Sequence, residues 1–243
     1  MTFARGSRRS PRSWPISPSP DFVSRSMRAA VSSQSTRSAS PGLVGPSRRP
    51  RPSSANPTTS RSEMSGCYIV VSGAPGSGKT RLARPLAEQL HLPLLSKDVV
   101  KETLFDELGV GDRLWSRRMG RASMAVLYNI AASTPAAVIE AVFHRDVALD
   151  DLRALGKPLI EVHCQCDPDL AIARFQQRAE DERHPGHLDS RQPRNKLEEL
   201  VQDGCRPLGL DGPLLEVDTT DDVDVDAVAA WVRAQPEWDP GTD

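Results

Sequence analysis

The chain has 243 residues, and its 31 Lys+Arg against 32 Asp+Glu conceal two opposed parts: residues 1–63 carry eleven Arg against Asp21 and Glu63, a net +9, whereas residues 64–243 carry 20 basic and 30 acidic side chains, a net −10. No run approaches the roughly 20 apolar residues of a membrane span, and the start lacks the apolar core of a secretory signal. Four cysteines are too few for a disulfide framework in a chain of this length and suit a reducing compartment, so a cytoplasmic protein without membrane attachment is expected.

Ser, Pro and Arg fill 37 of the first 63 positions, and so few large apolar side chains cannot offset the entropy of ordering. Residues 1–63 are therefore expected to form a disordered tail and residues 64–243 one domain. Three origins fit the tail: sequence upstream of a true start at Met64, an Arg- and Ser-rich targeting leader, or a cationic arm for nucleic acid.

Cys67–Ser72 (CYIVVS) predicts a buried strand. Residues 79–90 read as a helix strained by Pro85, Leu92–Ser96 as a second strand, and Val99–Leu108 as a helix closed by Gly109. Residues 113–133 place Met119, Ala122, Val126, Leu127 and Ile130 at helical spacing. Ala136–Phe143 predicts a third strand, Asp146–Leu155 a helix ended by Gly156, and Pro158–Cys166 a fourth strand. Asp167 caps the next helix, with Pro168 in its first turn and Arg178 at its end. A polar loop over 180–193, a helix near 194–202, a strand at Leu214–Val217 and a helix over 225–234 complete the domain. Such alternation predicts an α/β fold with a mainly parallel sheet of about five strands and helices on both faces. Ligands of these sheets sit at the carboxyl ends of the strands.

Gly73-Ala74-Pro75-Gly76-Ser77-Gly78-Lys79-Thr80 satisfies G-x-x-x-x-G-K-[ST], with a strand before it and a helix after it. This is the pattern of a P-loop NTPase fold. Its glycines let backbone N–H groups turn inward as an anion nest, and the following helix adds its positive end. Lys79 is expected on the β- and γ-phosphates of ATP and the Thr80 hydroxyl on Mg²⁺. A dinucleotide reading fails, because the third glycine it needs is Arg81. No N-K-x-D element reads guanine, and the additional elements of motor ATPases are missing.

Glu140 follows an apolar run and is expected to bind Mg²⁺ through water or to orient the nucleophile. Asp98 suits a base for a substrate hydroxyl, and Lys101 suits an anionic group of that substrate. The structural alternative makes Asp98 a helix cap and puts Lys101 on a solvated face. Arg178 and Arg183, with Arg174 a turn earlier, fit a lid over phosphates.

Together, Gly73–Thr80, Asp98-x-x-Lys101, Val138-Ile139-Glu140 and Arg183-His-Pro-Gly-His187-Leu-Asp189 resemble the small P-loop kinases of the AAA-type ATP-kinase, or zeta-toxin-like, group. Polynucleotide 5′-kinase domains and chloramphenicol phosphotransferase share that build. The resemblance implies ATP and Mg²⁺ as cofactors, Asp98 as the base, and lid arginines on ATP. Lys101 stands where the group usually has Arg, a point charge in place of a bidentate fork. The expected activity is ATP-dependent phosphoryl transfer to a hydroxyl of a small molecule. A polynucleotide 5′-end kinase is the alternative, disfavoured by the net −10, and a regulatory nucleotide binder is another. The acceptor and the oligomeric state stay open. His163-Cys164-Gln165-Cys166 lacks the second pair a zinc site needs, and its two cysteines are expected to pack on one strand face.

Overall fold

The computed structural model describes residues 66–181, 183–188 and 193–241; the expectations for residues 1–63, for a start at Met64 and for Asp189 lie outside them. The described residues form one parallel sheet, ordered β2-β3-β1-β4-β5. Its strands are β1 (Tyr68–Gly73), β2 (Leu94–Ser96), β3 (Ala137–Glu140), β4 (Leu159–Gln165) and β5 (Leu214–Asp218). Around it lie α1 (Lys79–Leu90), α2 (Lys97–Leu108), α3 (Arg113–Ala132), α4 (Arg145–Arg153), α5 (Pro168–Asp181), α6 (Arg194–Gly204) and α7 (Val225–Arg233).

The central strand β1 is buried along its whole length, as a strand covered on both faces by helices must be. Alternation of its side chains divides the core. Ile69 and Val71 pack with Leu82 and Leu86 of α1 and Val228 and Val232 of α7. Tyr68 and Val70 pack with Leu127 and Ala131 of α3 and Leu152 of α4. Each Val, Leu or Ile among them contributes about 1.5–3 kcal/mol on burial. A third cluster, built on Ala74, Ile172, Phe175, Leu197 and Val201, seats α5 and α6 against the loop after β1.

Several boundaries depart from the sequence expectation for physical reasons. α1 runs unbroken through Pro85, because Leu82, Leu86 and Leu90 anchor it in the core on both sides of the proline. β3 stops at Glu140 and not at Phe143. β2 ends there too, with Ser96 paired to Glu140, whereas β1 runs on past Val71, the partner of Glu140, to Gly73 and pairs there with β4 alone. α3 buries Ser116, Met119, Ser123, Leu127 and Ala131 while Val126 and Ile130 stay exposed. Beneath the first loop, Ser72 Oγ donates to Glu161 Oε1 at 2.6 Å and lies 2.8 Å from His163 Nδ1. The Leu208 N–H donates to the same Glu161 oxygen at 2.7 Å, so the buried carboxylate ties β1, β4 and the approach to β5 together. No helix among the described residues is long and apolar enough to cross a membrane.

Candidate active site

β1 delivers the chain into the loop at Gly73, and α1 begins at Lys79. The first-turn N–H groups and the positive end of α1 therefore face the loop. Gly76 takes φ 80°, and a Cβ there would lie 2.0 Å from the Ala171 carbonyl oxygen, so both conformation and space demand glycine. Ser77 N–H and Lys79 Nζ both donate to the Ala74 carbonyl, at 3.1 and 2.7 Å. Ser77 Oγ is buried and has no hydrogen-bond partner among the described residues. Lys79 is only 5% exposed. Burial drives its ammonium pKa down, while the charges of Glu140 and Asp98 push it up.

Glu140 is buried at the end of β3. Its Oε2 accepts from Ser96 Oγ at 2.7 Å and its Oε1 from Thr80 Oγ1 at 3.2 Å. The donor set of Thr80 and Glu140 is oxygen only, which suits Mg²⁺. Among the described residues no cluster of three or more His, Cys, Asp or Glu could hold a metal, so an ion here would draw its other ligands from phosphate oxygens and water. Cys164 is buried with the core of α1 and α7 whereas Cys166 packs near α5 and α6, not on a shared face as expected. Burial pushes the Cys164 thiol up to about 12.

Asp98 lies in the first turn of α2, whose N-cap is Ser96. Arg183 Nη2 donates to Asp98 Oδ2 at 2.9 Å, and Lys97 Nζ is 3.6 Å from Oδ1. Burial opposes this charge, yet Lys97, Arg183 and His187 outweigh it and hold the carboxyl well below the usual carboxylate range.

Arg183 opens a strap over α2. Because Arg183 Nη2 can only donate, His187 Nδ1 accepts from it at 3.1 Å, which makes Nε2–H the donor to Glu102 Oε1 at 3.0 Å. His184 follows the same logic: Nδ1 accepts from Gly186 N–H, and Nε2–H faces Asp106 Oδ1 at 3.1 Å. Both imidazoles also pack on Phe105, one stacked at 5.5 Å and one edge-on at 5.9 Å. A Cβ on Gly186 would meet the Phe105 ring at 2.2 Å. The Arg-His-Pro-Gly-His string is thus the mould of one face of α2. Lys101 belongs to that face, buried with Nζ 5.3 Å from the centre of the Phe105 ring, which overturns the solvated alternative.

Arg178 sits over the Phe175 ring at 5.8 Å and close enough to Lys79 to depress its pKa. Arg174, expected beside it, donates instead to the carbonyls of Thr219 and Thr220 at 2.9 and 2.6 Å. Thr219 Oγ1 lies 2.5 Å from the Ser77 carbonyl and 2.7 Å from that of Gln165, which fastens the loop after β5 to the phosphate loop. A cavity of about 430 Å³ opens there between Gly78, Leu82, Arg174 and Val223. A larger one, about 810 Å³, lies beside Lys97 and Lys101 under α3.

Lys79, Thr80, Asp98, Glu140 and Arg183 thus gather at the carboxyl edge of the sheet, with Lys101 and Arg178 flanking them. Sequence reasoning missed Ser96, the partner of Glu140, and the cationic wall of the larger cavity. Serine at a strand end and arginines on a helix carry no motif.

A family profile described as "AAA domain" matches residues 69–200. A candidate kinase from Chloroflexus aurantiacus J-10-fl is 39% identical with a TM-score of 0.66, over 71% of this chain and 99% of its own. Kti12 of Chaetomium thermophilum, solved in complex with ADP-AlF3, is 21% identical with a TM-score of 0.49, over 68% and 96%. A gluconokinase from Sinorhizobium meliloti 1021 is 16% identical with a TM-score of 0.44, over 69% and 90%. No curated protein matches. Read with the parallel sheet and its phosphate loop, the profile match over more than half the chain makes this protein a member of the AAA-domain family, in its small P-loop kinase group.

Proposed function

We propose that the protein transfers the γ-phosphoryl group of ATP to a hydroxyl of a small molecule. The observation that carries this reading is the position of Asp98. Lys97 and Lys101, which flank it in α2, line the 810 Å³ cavity, and Asp98 itself is within electrostatic reach of Lys79 in the phosphate loop.

On this reading the backbone N–H groups of the Gly73–Gly78 loop, which Pro75 lacks, and the Lys79 ammonium hold the β- and γ-phosphates, and the 430 Å³ cavity takes the adenine. Thr80 and Glu140 hold Mg²⁺, which when bound neutralises charge on the phosphate oxygens. Asp98, ionised throughout the physiological range, orients the acceptor hydroxyl. Its carboxylate takes the hydroxyl proton as the oxygen bonds to the γ-phosphorus. The bond from that phosphorus to the β–γ bridging oxygen breaks, and ADP departs with the electron pair. Arg183 and Arg178 offset the charge spread over the transferring oxygens. Positioning and electrostatics supply nearly all the catalysis.

An ATP-consumption screen over antibiotics, sugars, nucleosides and small hydroxy acids identifies the acceptor. With it, Asp98→Asn is expected to leave the Kd for Mg·ATP within about threefold while kcat falls by roughly 10²–10⁴. An unchanged kcat would return Asp98 to a structural role. ATP binding that depends on Lys79 without turnover of any acceptor would leave a regulatory nucleotide binder.

A further inference from the structure

We infer that the 810 Å³ cavity binds an anionic small molecule, whose carboxylate or phosphate is held by Arg113, Arg117 and Arg121 of α3. That this molecule is the phosphoryl acceptor rests on the function proposed above; the anion site itself does not.

The volume is on the scale of small-molecule sites. Its charge is the reverse of the domain's. Residues 64–243 carry a net −10, yet the cavity's described walls hold five cations, Lys97, Lys101, Arg113, Arg117 and Arg121, against the single carboxylate of Asp151. The three arginines recur every fourth residue, which puts them on one face of the helix. Like charges at that spacing repel, and cations at a helix N-terminus oppose its dipole. α3 begins at Arg113 and contains no acidic residue; the carboxylate of its N-cap, Asp112, is taken up by the Trp115 N–H. Among the described residues neither Arg117 nor Arg121 has a carboxylate within ion-pair distance. Arg117 and Arg121 are thereby left on one wall of the cavity, available to a bound anion.

A second observation points the same way. Tyr128, on the same wall, has its hydroxyl oxygen buried with no hydrogen-bond partner among the described residues. Burial, with the Asp151 charge adding to it, pushes this phenol's pKa up, so it stays a neutral O–H donor. The group is placed for a polar atom that the described residues do not provide. Met124, Phe143, Val147 and Leu188 complete the walls and suit the carbon skeleton of a hydroxy acid or a phosphorylated alcohol. The ligand's hydroxyl then lies at the Lys97–Lys101 end, next to Asp98.

The test has two arms, both on the full chain. In the first, Mg²⁺ and a non-hydrolysable ATP analogue fill the phosphate loop, and inorganic phosphate and acetate are titrated calorimetrically. Binding of one of them is expected, and which one binds tells phosphate from carboxylate recognition. Arg117→Gln/Arg121→Gln should raise its Kd by about tenfold or more. In the second arm ATP consumption is measured with matched acceptors, gluconate against glucose and 3-phosphoglycerate against glycerol. Only anionic members are expected to stimulate it, and the double variant should raise their KM by about tenfold while the KM for ATP stays within about twofold. Should the double variant fold poorly, Arg121→Gln alone, at an exposed position, gives the same readout. Equal use of the neutral members, or anion Kd and KM values unmoved by the substitutions, overturns the inference. Anion binding lost in the variant, with no acceptor consumed by the native protein, upholds the site and removes phosphoryl transfer.

Discussion

Replacing Lys79 with Met should stabilise the nucleotide-free protein while abolishing nucleotide binding. Lys79 is 5% exposed and its ammonium donates to the Ala74 carbonyl. Removing an ion from water costs several kcal/mol. The net downward direction of its pKa means that Glu140 and Asp98 return less than that cost. The attraction to Glu140 is already inside this balance, so losing it adds no further penalty. The Met stem fills the space of the Lys stem, and the Ala74 carbonyl keeps its bond from Ser77 N–H. The lost hydrogen bond is worth about 1 kcal/mol net, so Lys79→Met should gain about 1–2 kcal/mol at pH 7, on the order of 2–8 °C in Tm for a domain of this size. The sign with pH also follows. A lysine with a lowered folded pKa destabilises the fold at every pH below that value, and the penalty fades as pH rises towards the unfolded 10.5. Calorimetry without nucleotide at pH 7 and pH 10 should therefore show the variant's advantage shrinking. Mg·ATP should raise the Tm of the native protein alone. A variant less stable than the native protein at pH 7 by more than about 1 kcal/mol would refute the reasoning.

Two further expectations concern the strap. Burial, with Arg183 adding to it, holds His187 at about 3. The unfolded chain then takes a proton that the folded one refuses, and stability falls by up to about 1.4 kcal/mol per pH unit below 6.5. Asp98, with its pKa lowered, loses its contribution only as pH drops below the unfolded 3.8. His187→Gln should therefore flatten the stability curve between pH 6.5 and 4 in urea titrations; parallel curves would contradict this. Gly186→Ala should cost about 1–3 kcal/mol by overpacking, since Phe105 is wedged among His184, His187 and Lys101 and cannot retreat. Amide exchange should quicken in 183–188 and α2 but not in β1, and unchanged exchange in the strap would count against the packing account.

Elements legible in the sequence were those that local chemistry dictates. β1, the glycines at 73, 76 and 78, and the start of α1 at Lys79 follow from one contiguous stretch whose φ angles and helix end are local properties. The third strand was read too long because Ala141–Phe143 are as apolar as any strand, and the end of β2 at Ser96, opposite Glu140, is a property of the assembled sheet. The pairing of Arg183 with Asp98 joins residues 85 apart in the chain; residue types suggested a lid but no spacing specifies its seat. Ser96 against Glu140 depends on register across β2 and β3. Tyr128 carried no signal in the sequence, since burial of its hydroxyl without a partner among the described residues is a property of the assembled cavity.

The central position of β1 has a consequence for how the protein is made. Tyr68–Gly73 is translated before every other strand of the sheet, yet its two neighbours are Ala137–Glu140 and Leu159–Cys164. Parallel pairing across such separations is slow, because the intervening chain must close before any contact rewards it. The phosphate loop therefore gains its shape only after four of the five strands exist, and its tie to Thr219 waits for the fifth. A nascent chain carries the loop's sequence long before it carries the site, so nucleotide capture reports completion of the fold rather than its beginning.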